Sequence, residues 1–110
     1  MPEAQDPPVP PPEAVVVRLS GEMDIGRVCQ VRSLLLEAVT REGGPPEIVV
    51  DLSGLTFCDS AGLNVLLRAR LQAVESGRTL RLAAPNAQML RLLEITGSLG
   101  LFPIDPSPPA

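Results

Sequence analysis

The sequence predicts an α/β domain, a small mixed and largely parallel β-sheet flanked by helices. Three observations carry that expectation. Short apolar runs rich in β-branched residues, VVV at 15–17 and IVV at 48–50, alternate with longer stretches whose apolar residues recur at helical spacing. Glycine and proline clusters such as Gly43-Gly44-Pro45-Pro46 separate them. Helices between successive strands act as crossovers, which parallel and mixed sheets require. The 110 residues suffice for one small domain. Six of the 13 prolines fall within the first twelve residues, and Pro103, Pro106, Pro108 and Pro109 cluster at the other end. We therefore expect residues 1–13 and 105–110 to be disordered tails around a folded domain at 14–104.

Residues 14–19, AVVVRL, read as a strand, because three successive valines are β-prone and the run is too short for a helix. Ser20, Gly21, Glu22, Met23 and Asp24 then form a turn in which Asp24 supplies the next N-cap. A paired-carboxylate site at Glu22 and Asp24 is the less common use of such a turn. A helix is expected over residues 25–42, with Val28, Val31, Leu35, Ala38 and Val39 on one face and Arg27, Arg32, Glu37 and Arg41 outside. Gly43 and Gly44 stop it, and the two prolines prevent its resumption. Residues 47–51 form the central strand, followed by a turn at Ser53-Gly54 and a short apolar segment, Thr56-Phe57-Cys58. A second helix spans 60–76, since Leu63, Leu66, Leu67, Leu71 and Val74 recur at its spacing and Gly77 closes it. TLRLA at 79–83 alternates as a strand, with Leu80 and Leu82 on one face and Arg81 on the other. Pro85 and Asn86 open a third helix, with Met89, Leu92 and Leu93 inward and Gly97 as its cap. Leu99, Leu101, Phe102 and Ile104 then form a short final strand or pack as coil.

Composition excludes several function classes. The net charge is −4, and the nine basic residues, all Arg, are spread along the chain without a basic stripe, so nucleic acid is not an expected partner. No apolar run approaches the roughly 18 residues of a membrane span, and the N-terminus lacks the pattern of a signal peptide. A cytoplasmic location is the expectation. Cys29 in the first helix and Cys58 at a strand end read as reduced, buried small hydrophobes. There is no His and no CxxC, which leaves a metal site little to work with. Asp24, Asp51 and Asp59 are too scattered to argue for a cation and read as turn or cap residues. Neither a phosphate loop nor GxGxxG occurs, so no cofactor or nucleotide of its own is expected.

The chemistry concentrates at Asp59-Ser60-Ala61-Gly62, where an apolar segment hands over to the second helix. Ser60 is expected at or next to the N-cap. First-turn amides lack backbone partners and carry partial positive charge, so the position suits an accepting oxygen or an anion. Serine hydrolysis is not indicated, because Cys58 stands where GxSxG needs glycine and no His can act as base.

Four segments in order resemble the STAS domain of the anti-sigma factor antagonist (anti-anti-sigma factor) family. Gly21-Glu22-Met23-Asp24 is similar to the family's G-E-[LM]-D turn, and Val49-Val50-Asp51-Leu52-Ser53-Gly54-Leu55 to its central strand. Asp59-Ser60-Ala61-Gly62-Leu63 is similar to its D-S-[SAT]-G-L phosphorylation motif, and Leu90-Arg91-Leu92-Leu93-Glu94-Ile95-Thr96-Gly97 to its C-terminal helix.

The resemblance implies a regulator rather than an enzyme. It makes Ser60 the phosphorylated residue, with Glu22, Asp24, Asp59, Ser60, Ala61, Gly62, Leu63 and Asn64 forming the partner-binding surface. The implied partner is an anti-sigma factor serine kinase, a histidine-kinase-like ATPase to which the ATP belongs. Binding of the unphosphorylated protein displaces the sigma factor, phosphorylation of Ser60 ends that binding, and a metal-dependent serine phosphatase restores it. Asp24 lies beside the acceptor and assists recognition. Two positions depart from the pattern: Ala61 leaves Ser60 as the motif's one hydroxyl, and Asn64 replaces a common glycine on the docking surface. A scaffold subunit of a transport or signalling complex, using the same helix surface without cycling on Ser60, is the alternative.

Overall fold

The computed structural model describes residues 14–109; the expected N-terminal tail at 1–13 lies outside the described residues. Its elements are β1 (Ala14–Met23), α1 (Val28–Thr40), β2 (Glu47–Cys58), α2 (Ser60–Glu75), β3 (Thr79–Ala83), α3 (Ala87–Ile95), a 3-10 turn (Leu99–Leu101) and β4 (Ile104–Asp105). Among the described residues the sheet has four strands in the order β1-β2-β3-β4, and each neighbouring pair is parallel. Each connection steps one strand over in the same direction. Right-handed crossovers then gather the helices on one face.

That face carries the core. Val15, Ile48 and Leu80 align across the strands, as do Val17, Val50 and Leu82, and with Leu19 and Leu52 they meet Val31, Leu35 and Val39 of α1, Leu63, Leu66, Ala69 and Ala73 of α2, and Met89 and Leu93 of α3. Period-two strands and 3.6-period helices thus meet along one apolar layer. The other face of the sheet mixes Val16, Val49 and Ala83 with two charged pairs. Arg18 reaches Asp51 at 3.3 Å, and Arg81 reaches Asp105 at 2.8 Å. The last strand extends to Asp105, one residue into the segment expected as tail.

Several local expectations change. Ser20–Met23 of the expected turn are instead the end of β1, with Asp24 just beyond it, and the Ser53-Gly54 turn is absorbed into a continuous β2. The two segments pair with each other: Ser20 faces Gly54, Gly21 faces Leu55, Glu22 faces Phe57 and Met23 faces Cys58, with register shifts between Arg18 and Ser20 and between Gly21 and Glu22. Two irregular segments become strand because each supplies the other's hydrogen bonds, helped by Gly21 at φ +76° and by the Thr56 hydroxyl donating to Gly21 O at 3.0 Å.

Helix α1 begins at Val28 rather than Ile25 and ends at Thr40 rather than Glu42. Asp24 is not its N-cap. Its carboxylate accepts from Gly26 N–H at 3.0 Å, its carbonyl from Arg27 N–H at 3.0 Å, and Arg27 takes the cap position without a side-chain hydrogen bond. Cys29, expected to be buried, is exposed because the inward stripe runs through Val31, Leu35 and Val39. In α2, Leu71 and Val74 are exposed at 56% and 54%, and the small side chains of Ala69 and Ala73 face the core instead. Alanines at those positions allow α1 and α2 to pack closely.

Candidate functional site

The site forms where the C-terminal ends of β1 and β2 meet the N-termini of α2 and α3. Met23 pairs with Cys58, and Asp59 N–H donates to Met23 O at 3.3 Å, so Glu22-Met23-Asp24 lies alongside Phe57-Cys58-Asp59. Loops beyond the carboxyl ends of parallel strands are where α/β sheets expose their ligand-facing residues.

Asp59, rather than Ser60, caps α2. Its backbone is extended, and its Oδ1 accepts from Gly62 N–H at 3.0 Å, satisfying a first-turn donor. Ser60 is the first helical residue and is exposed. A neighbouring carboxylate has taken the capping role, leaving the Ser60 side chain at the surface beside the positive end of the helix dipole.

Gly62 and Leu63 are buried, unlike Ser60 and Asn64, which are exposed; Ala61 is half-buried. A Cβ built on Gly62 would lie 2.9 Å from both Cys58 Sγ and Met23 O and 3.0 Å from Met23 Cε. Only a bare Cα lets the first turn of α2 rest directly on the two strand ends. Gly62 and Leu63 therefore shape the surface from beneath, and the side chains that reach solvent in this segment are those of Ser60 and Asn64.

Glu22 is exposed and Asp24 and Asp59 are half-buried, which gives the rim three carboxylates. Arg27 is the cation nearest in sequence. Its guanidinium donates to Ser20 O and, at 2.9 Å, to Glu22 O, so it fixes the bulged end of β1. Asp51 does not join the rim; it sits on the face of the sheet away from the helices, bonded to Ser53 N–H at 2.9 Å and to Arg18. Among the described residues no three acidic or cysteine side chains gather as a metal site.

The Cys58 thiol is buried under this surface, and burial, reinforced by the charge of Asp59, pushes its pKa up to about 12. It remains a protonated packing group at neutral pH. Two features of the rim escaped the sequence reading. Ile25, placed in a helix, is instead in the loop after Asp24 and is 81% exposed, while Phe57, opposite Glu22, is 42% exposed. The second is a pair of amides from the start of α3, Asn86 and Gln88, that bond to the end of β2. A polar residue early in a helix carries no sequence mark of a distant strand partner.

A family model described as "Mlab, STAS domain" matches residues 10–103. The chain is similar to the anti-sigma F factor antagonist of Lysinibacillus sphaericus, with 36% identity over 94 residues, 84% of this chain and 78% of that protein. Among solved structures, an anti-sigma factor antagonist from Mycobacterium paratuberculosis matches with a TM-score of 0.76 at 26% identity, covering 86% of this chain and 79% of that one. The Bacillus cell fate determinant SpoIIAA in its phosphorylated form matches with a TM-score of 0.67 at 29% identity, covering 92% of this chain and 88% of that one.

Proposed function

The chain belongs to the STAS-domain family of anti-sigma factor antagonists, and from that premise we propose that it is a cytoplasmic partner switch controlled by phosphorylation of Ser60. Unphosphorylated, it binds an anti-sigma factor serine kinase of the histidine-kinase-like type and releases the sigma factor. The kinase transfers the γ-phosphoryl group of its ATP to Ser60 Oγ, the hydroxyl proton leaves, and ADP is released. A serine phosphatase returns the hydroxyl. The chain supplies an acceptor and a docking surface, and no catalytic group of its own.

The observation that carries this reading is the separation of roles at the start of α2: Asp59 caps the helix, so Ser60 is exposed and can change chemically without loss of the cap. Phosphate there would add about −1.5 to −2 charge beside free first-turn amides, an environment that tolerates an anion. The fold should therefore survive phosphorylation. A docked partner is affected differently. Glu22, Asp24 and Asp59 already make the rim acidic, and a surface shaped to a neutral hydroxyl would meet a desolvated dianion; a loss of about 2.7 kcal/mol weakens binding about a hundredfold. Ile25 and Phe57 supply the apolar area that a rim of carboxylates lacks.

The test is a pull-down from lysate of the source organism with wild-type, Ser60→Ala and Ser60→Asp baits, followed by mass spectrometry. Retention of a histidine-kinase-like ATPase by wild type and Ser60→Ala, with loss on Ser60→Asp, is the expected result. Equal retention of the same transport or scaffold partners by all three baits would overturn the reading. Because Asp carries a single charge, incubation of the wild type with the captured kinase and ATP, and mapping of phosphate to Ser60, completes the test.

A further inference from the structure

The ladder between β2 and β3 ends at Asp51 and Ala83, yet β2 continues to Cys58. Along that overhang one edge is held by β1, which pairs as far as Met23 with Cys58. The other edge is held by side chains of α3. Asn86, the N-cap of α3, accepts from Met89 N–H at 2.8 Å and donates from Nδ2 to Leu55 O at 3.1 Å and Thr56 O at 3.3 Å. Gln88 takes both main-chain groups of Cys58: its Oε1 accepts from Cys58 N–H at 3.1 Å, and its Nε2 donates to Cys58 O at 2.7 Å. A side-chain carboxamide has the donor and acceptor of a peptide group. Here it replaces the strand that stopped at Ala83.

We propose that Gln88 is a positioning residue for Ser60: its two hydrogen bonds to Cys58 fix the end of β2 from which Asp59 and Ser60 project. The proposal rests on the reading of Ser60 as the phosphoacceptor and adds the residue that presents it. Cys58 immediately precedes the capping Asp59, so the peptide gripped by Gln88 sets where the cap and the first helical turn begin. With Gln88 in place, the strand end is pinned on both edges. Without it, the overhang is tied through β1 and Asn86 alone, and the Asp59-Ser60 step samples more conformations. A kinase then meets the competent arrangement in only a fraction of molecules, and its apparent affinity falls by that fraction. Gln88 is separable from the core: Met89 and Leu93 are the buried residues of α3, and Gln88 is half-buried beside them.

Two variants test this. Gln88→Met removes both hydrogen bonds at similar volume. Gln88→Glu keeps an acceptor for Cys58 N–H and sets a carboxylate oxygen against Cys58 O. Amide hydrogen exchange, followed residue by residue by NMR, reads Cys58 against Val50, a buried residue of the same strand within the ladder. Loss of one or two hydrogen bonds should speed Cys58 exchange about tenfold relative to Val50. Phosphorylation of the same proteins by purified histidine-kinase-like serine kinases of the source organism should show KM raised about tenfold with kcat changed less. Cys58 exchange at the wild-type rate in both variants overturns the clamp. Faster exchange with an unchanged KM overturns its role in presenting Ser60. A wild-type protein that takes no phosphate at Ser60 sinks the switch reading instead, and the exchange rates then still decide whether Gln88 holds the strand end.

Discussion

Gly62 shows how little freedom the site has at the scale of single residues. With Cys58 Sγ and Met23 O each 2.9 Å from where a Cβ would sit, Gly62→Ala must push helix from strand; it should cost about 1–3 kcal/mol in urea unfolding. Asp59 is the second such residue. Asp59→Ala removes the cap to Gly62 N–H and should lower stability by about 1 kcal/mol, whereas Ser60→Ala, at the next position, should leave the same unfolding curve nearly unmoved. The pair separates the capping role from the acceptor role proposed for Ser60. Ile25 is the opposite kind of residue, apolar and 81% exposed, so Ile25→Ser should change stability by less than about 0.5 kcal/mol and weaken binding to the captured kinase, as isothermal titration would read. The motif itself was legible from sequence because its residues are contiguous. Which of Asp59 and Ser60 caps the helix was not, since both residue types cap well and the choice depends on where the strand ends.

At the scale of elements, arginines join pieces that the sequence leaves separate. Arg78, just past α2, donates to the C-terminal carbonyls of α1: Val39 O at 3.0 Å, Ala38 O at 3.4 Å and Arg41 O. These are the carbonyls that a helix end leaves without partners, and a guanidinium also complements the dipole there. Arg78→Ala should destabilise the fold by about 2 kcal/mol, with the earliest loss of hydrogen-exchange protection in the last turn of α1. Arg27 does the equivalent for the bulged end of β1 through the carbonyls of Ser20 and Glu22. The elements with strong internal signals, β3, α2 and α3, were placed from sequence to within about two residues, a normal spread for assigned helix ends. Ser20-Gly21 and Ser53-Gly54 carry a turn signal that hides the continuation of β1 and β2. Each is a strand only beside the other, and pairing between residues more than thirty positions apart leaves no local trace.

For the whole molecule, the two faces of the sheet obey different rules. The helix-covered face is apolar, and the other sets Val16, Val49 and Ala83 among paired charges. Asp51 is buried there, 4% exposed, and the Ser53 backbone N–H bond, with the nearby Arg18, holds its carboxyl below the usual range; the hydrogen bonds from Arg81 do the same for Asp105. A carboxylate with a lowered folded-state pKa contributes stability that is present above its unfolded value and is lost as pH falls through the folded one. Unfolding free energy should therefore stay level from neutral pH to about pH 5 and drop below about pH 4, and Asp51→Asn should flatten part of that drop in urea titrations. The order of the main strands and helices, the α/β class, the Asp59-Ser60-Ala61-Gly62 sequence at the start of a helix and the family were determined by the sequence alone, because periodicity, punctuation and contiguous motifs are local properties. The extension of β1 and β2, the cap on Asp59, the exposure of Ile25 and the grip of Gln88 on Cys58 were decided by the tertiary structure. Each depends on which distant segment supplies the partner for a backbone group, and that is set by the packing of the whole sheet.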